Sequence, residues 1–177
     1  MANQSQTEAL SFPQAIVTTQ SLINKISANQ LSEAEIQRQV SSILSTKNGG
    51  RGFFASYLTS ELPLADNPSI GVIKGLRSAC QVTSELLVKN LAMSSAMAVV
   101  HARNGDRDNL EGSQKVERRT KHLIQKIDLK ASEEEIQKLQ HTIKTGEGKY
   151  TNFLKRWNYD REQKRAIQEA ISDALRL

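Results

Sequence analysis

At 177 residues, with 38% hydrophobic and 24% charged side chains, the chain is long enough to bury one sizeable core and too apolar for gross disorder. Its lone cysteine, Cys80, excludes an internal disulfide, and no CxxC pair or Cys/His cluster points to structural zinc. The net charge of +5 leaves room for an anionic partner. The opening MANQSQTEALSFPQ has neither the basic nor the apolar region of a secretory signal, and the nearly apolar run from Leu86 to Val100 is too short to span a bilayer, so the expectation is a cytoplasmic protein.

Apolar residues recur at helical spacing along most of the chain and strand signals are almost absent. The pattern predicts an all-α fold, a compact multi-helix bundle of five to seven helices around a long buried central helix. Residues 1–11 read as a flexible N-terminal arm and residues 12–177 as a single helical domain. Pro13 suits the first turn of a helix that carries Ile16, Ile23 and Ile26. Ser32 and Glu35 form a capping box ahead of Ile36, Val40, Ile43 and Leu44, and Asn48-Gly49-Gly50 reads as the stop. Phe53, Phe54, Tyr57 and Leu58 then drive a further helix into the core, and Pro63 and Pro68 bracket a short linker.

From Ser69 to about Arg103 two apolar stripes, one through Val72, Val82 and Leu86 and one through Ile73, Cys80 and Leu87, predict a helix buried around much of its girth. Asn104-Gly105-Asp106 ends it, and Val116, Leu123, Ile124 and Ile127 mark a one-faced helix returning along it. Ser132 with Glu135 predicts another capping box. Asp160 with Gln163 predicts a weaker one, before a last helix with the stripe Ile167, Ala170, Ile171 and Ala174.

No motif of catalysis emerges. His101, His122 and His141 fall on three different predicted helices or helix ends, with neither HExxH nor a Glu-x-x-His pattern, so the reading is no metal and no cofactor. Cys80 sits on an apolar stripe, where an inert core residue is expected. The segment Lys47-Asn48-Gly49-Gly50-Arg51-Gly52 has the glycines and cations of a phosphate loop, but lacks the P-loop pattern and a preceding strand. A helix end followed by a tight turn accounts for it.

Charge is the one global hint. Residues 101–130 hold eight lysines and arginines against five acids, and residues 144–165 hold seven against three. Such stretches can contact phosphates, and Arg51, Arg118, Arg119, Lys121 and Lys155 are the candidates; a solvated helix face explains most of the pattern. The segment Lys155 to Tyr159, just before the Asp160 cap, offers Arg156, Trp157 and Tyr159 as protein-contact residues, because Arg, Trp and Tyr most often carry interface energy. The competing reading folds Trp157 and Tyr159 back onto the final helix.

Arg51-Gly52-Phe53-Phe54 with Tyr57-Leu58-Thr59, the run Leu86 to Ser94, Thr145-Gly146-Glu147-Gly148, and Phe153-Leu154 with Arg156-Trp157 together resemble a small all-helical family of cyanobacterial proteins with no assigned activity. The resemblance covers most of the chain after about residue 30. It implies a bacterial cytosolic setting and transfers no active-site residue. The functional expectation is therefore a non-catalytic binding or regulatory module acting through protein–protein contacts. A nucleic-acid-binding regulator with a basic helical face, and a bundle carrying a ligand or cofactor, are the alternatives.

Overall fold

The computed structural model describes residues 10–176 and is all-α, with no strand among those residues. Nine helices are described: α1 (Phe12–Ser27), α2 (Glu33–Ile43), α3 (Lys47–Thr59), α4 (Ile70–Ser78), α5 (Cys80–Arg103), α6 (Arg107–Ile127), α7 (Lys130–Thr145), α8 (Thr151–Trp157) and α9 (Arg161–Ala174). The expected five to seven is too few because two elements carry no sequence signal, while a third difference only lengthens an expected helix: the glycine-rich segment Lys47–Gly52 is the first two turns of α3 and not a loop. The long helix expected from Ser69 to Arg103 breaks at Ala79 (φ −109°, ψ 45°) into α4 and α5. The short α8 has no side-chain cap to announce it.

Local chemistry explains most of the ends. Ser32 and Glu35 bond reciprocally as expected, as do Asp160 and Gln163, and Ser11 with Gln14 makes a third capping box. Ser132 does not cap. The preceding residues already turn, α7 starts at Lys130, and the Ser132 hydroxyl is buried against that of Ser84 at 2.9 Å. At the Ala79 break the carbonyl of Leu76 accepts from the Thr83 hydroxyl at 2.9 Å, so the interruption leaves that group satisfied. Cys80 begins α5 on the exposed side, so the expectation of a core cysteine fails. Of the expected N-terminal arm, residues 1–9 lie outside the described residues; Leu10 packs on the core and Ser11 caps α1.

One buried cluster draws on all nine helices, from Leu22 on α1 through Phe53, Leu87, Leu123 and Ile136 to Ile167 on α9. Helix α1 lies against α3 and α2 against α4, while α5 packs against α3, α6, α7 and α9. The linker between Pro63 and Pro68 is anchored: Ala65 is fully buried, and the Tyr57 hydroxyl donates to the carbonyl of Leu64 at 2.7 Å.

The close helix pairs rest on missing side chains. A Cβ at Gly52 would stand 2.5 Å from the Cβ of Ala15 on α1, and one at Gly50 would stand 2.7 Å from Leu86 Cδ1 on α5. Gly75 of α4 faces Val40 of α2 in the same way, at 2.6 Å. Gly52→Ala is expected to destabilise the fold by roughly 1–3 kcal/mol through overpacking, read by urea unfolding. Gly112 on α6 has open space around its Cβ position, so Gly112→Ala is expected to leave stability unchanged or raise it by up to about 1 kcal/mol through helix propensity.

Candidate functional site

Two clefts of about 470 Å³ each open along α3 and α5. Helix α3 turns Lys47, Arg51 and Ala55 to the first and Thr59 to the second, a stripe at four-residue spacing. Helix α5 follows with Leu86, Lys89, Asn90 and Met93, then Met97 and His101. Asn90 and Met93 line both clefts, so the two join end to end. From Leu86 to His101 the helical rise makes the groove roughly 20 Å long.

The ends of the groove differ. At the first end the opposing wall is Phe12 of α1 with Phe153, Arg156 and Trp157 of α8. At the second it is Asn109, Lys115 and Val116 of α6, which returns along α5. Helix α8 aims its residues by simple periodicity. Phe153, Arg156 and Trp157 stand at i, i+3 and i+4 and share the groove face, while Leu154 points into the core. Asn158, in the left-handed region at φ 47°, stops the helix and donates its N–H to the carbonyls of Leu154 and Lys155. Beyond that turn Tyr159 is buried against the edge of Phe153, whereas Trp157 keeps 44% of its surface exposed.

The first end is electropositive. Glu85 is shared by Lys89 at 2.6 Å, Lys47 at 3.3 Å and Lys149 at 3.4 Å. Partial burial alone would raise the Glu85 carboxyl, but these three ammonium groups outweigh it and hold it down at about 2. Behind it the buried Glu135 accepts from the Tyr150 hydroxyl at 2.6 Å, Lys149 at 2.7 Å and Lys138 at 2.8 Å. Burial opposes ionisation there too, and the two lysines and the tyrosine prevail, keeping the carboxyl below its ordinary value. Two carboxylates thus face four ammonium groups. Arg51, set 5.1 Å over the Phe12 ring, and Arg156 pair with no carboxylate among the described residues and add to the surplus.

Of the residues singled out from the sequence, the fold brings together Arg51, Arg156 and Trp157. Tyr159 does not join them as a contact residue, because it is buried. Lys155, one position away on α8, points to a smaller cleft beside Thr142 and Lys164. The α6 trio stands elsewhere and is largely committed. Arg119 is 3% exposed and donates to Asp66 at 2.7 Å and to the carbonyls of Leu58 at 2.9 Å and Ser60 at 2.7 Å, so it is no phosphate ligand. Lys121 pairs with Glu117 at 2.9 Å, and Arg118 lies outward, 3.5 Å from Asp66. His101, His122 and His141 sit on α5, α6 and α7, and among the described residues no three metal-ligating side chains gather. Sequence reasoning passed over Lys89 and Met93. A lysine and an asparagine side by side in the most apolar stretch of the chain were the available signal.

Two neighbouring arginines should separate cleanly. Arg119→Ala strands Asp66 and the carbonyls of Leu58 and Ser60 and is expected to cost about 3–5 kcal/mol in chemical denaturation, against less than about 0.5 kcal/mol for Arg118→Ala. Glu85 sets an acid limit. Its depressed carboxyl contributes stability above the unfolded value of about 4.5, and that contribution is lost as pH falls towards about 2. Melting curves of Glu85→Gln between those pH values should therefore slope less steeply than those of the wild type.

No curated protein and no solved structure matches the chain. Residues 11–174 match the model of a family described as "Uncharacterised conserved protein UCP020893", and the chain belongs to that family.

Proposed function

We propose that the protein is a non-catalytic binding module that engages a protein partner through the groove along α3 and α5. The observation that carries this reading is the convergence of Arg51 and Arg156, from segments about a hundred residues apart, beside the exposed Trp157. A tryptophan costs burial free energy when left in water, and arginines without carboxylates leave strong donors unused. Both kinds of group gain on meeting a partner, and both belong to the residue types that dominate interface energy. The exposed lone cysteine suits a reducing compartment, and we place the protein in the cytoplasm.

The nucleic-acid alternative loses part of its footprint, since Arg119 and Lys121 are held by carboxylates. A carrier of a small ligand would also use the groove, but its two lobes are open along their length.

The triple variant Arg51→Ala, Arg156→Ala and Trp157→Ala should melt close to the wild type, because all three side chains are exposed. Affinity capture from a lysate of the source organism should recover a protein with the wild type and with Arg118→Ala, and lose it with the triple variant. Identical recovery by all three would remove the groove as the binding surface.

A further inference from the structure

The groove is chemically graded along its length. At the α8 end it presents Lys47, Arg51, Lys89 and Arg156 around Trp157, with Glu85 as their one paired carboxylate among the described residues. Towards the α6 end the charge is spent: Lys115 pairs with Glu61 at 2.8 Å, and His101 lies 3.8 Å from Asp106. What remains there is half-buried Met93, Met97 and Val116. We infer that the groove receives an acidic segment of a partner protein, its carboxylates at Arg51 and Arg156 and its large apolar side chains on the methionine floor.

The inference rests on the binding reading above and adds the chemistry of the occupant. Charge complementarity selects the sign. The surplus positive charge at one end has no carboxylate to neutralise it among the described residues, so a basic or neutral segment would leave it unpaired. The gradient selects the class. A single-stranded nucleic acid carries one phosphate per nucleotide and needs cations at regular intervals, yet the line of cations stops after the first lobe. A peptide can carry acids at one end and apolar side chains at the other. Methionine is suited to such a floor, since its unbranched thioether adapts to varied side chains. The groove length of roughly 20 Å corresponds to about six residues of extended chain or about thirteen of helix.

Trp157 is the only tryptophan and lies at the charged end, so its emission reports occupancy. The full chain is titrated with a random Glu–Tyr copolymer, polyglutamate, polylysine and oligothymidylate, with the tryptophan excited selectively. The expected result is a saturable change with the Glu–Tyr copolymer, a weaker one with polyglutamate and none with polylysine. Affinity should fall as salt rises to about 0.3 M. It should also fall about tenfold in the Arg51→Ala, Arg156→Ala double variant and hold in Arg118→Ala. Met93→Gln should remove the advantage of the tyrosine-containing polymer over polyglutamate, with thermal melts confirming that each variant folds.

No response at low salt, an undiminished response in the double variant, or tighter binding of oligothymidylate than of the acidic copolymer would overturn the inference. If groove-dependent capture from lysate persists under any of those outcomes, the binding function stands and only the acidic occupant falls. If capture is also insensitive to the groove residues, both fall.

Discussion

Helix α3 lies between α1 and α5, and it fits there because it presents no side chain at Gly50 and Gly52. A methyl group at Gly52 would meet Ala15, and one at Gly50 would meet Leu86 and Val82. With α1 drawn in to the backbone at Gly52 and the α5 side chains Leu86 and Val82 seated on Gly50, the bulky part of the helix, Phe53, Phe54, Tyr57 and Leu58, fills the core, all four side chains essentially inaccessible. The remaining stripe, Lys47, Arg51, Ala55 and Thr59, is left at the seam with α5. The groove is the outer edge of a tight contact. Substitutions that push α1 or α5 away from α3 would therefore alter the groove as well as the core.

Polar groups in this molecule divide by what they are bonded to. Arg119 and Asp66 lock the turn between α3 and α4 to α6, and the buried arginine tolerates its position because carbonyls and the carboxylate take up its donors. Arg103 at the end of α5 performs a similar service at the surface, bridging to Asp160 and Glu162 at the start of α9 and joining two helix ends of opposite dipole. The lysines around Glu85 and Glu135 differ from the Arg103 bridge because four ammonium groups share two carboxylates, whereas Arg103 alone meets two. The excess stands at the edge of the groove.

The sequence was most legible where a local rule acts alone. Ser32 with Glu35 and Asp160 with Gln163 behave as caps because only neighbouring residues decide the outcome. It misled where a distant contact decides. Gly49 and Gly50 read as a stop, since glycine weakens an isolated helix, but here packing on α1 and α5 outweighs the propensity. Ala79 carries no signal of a break; α4, parted from α5, seats Gly75 on Val40, a contact thirty-five residues apart in sequence. Arg119 looked like part of a basic face because periodicity does not reveal Asp66, which arrives from the linker. Arg51, Arg156 and Trp157 were visible as residue types, and only the fold shows that they are neighbours.

The division between Trp157 and Tyr159 follows from the length of α8. Seven residues make two turns, enough to seat Leu154 in the core and leave Phe153 and Trp157 on one outer face. Asn158 then reverses the chain, and the next aromatic, Tyr159, is carried inward to the edge of Phe153. The two aromatics of the segment thus part by burial, Tyr159 inside and Trp157 outside. Helix α8 is itself held from behind, because Tyr150 at its start is fixed by the buried Glu135 and stacks edge-on with Phe153. The same carboxylate that anchors Tyr150 also takes up Lys149 and Lys138, so the charge surplus and the orientation of Trp157 share one support. An alteration at Glu135 would reach the groove twice, by freeing cations near it and by loosening the helix that forms its wall.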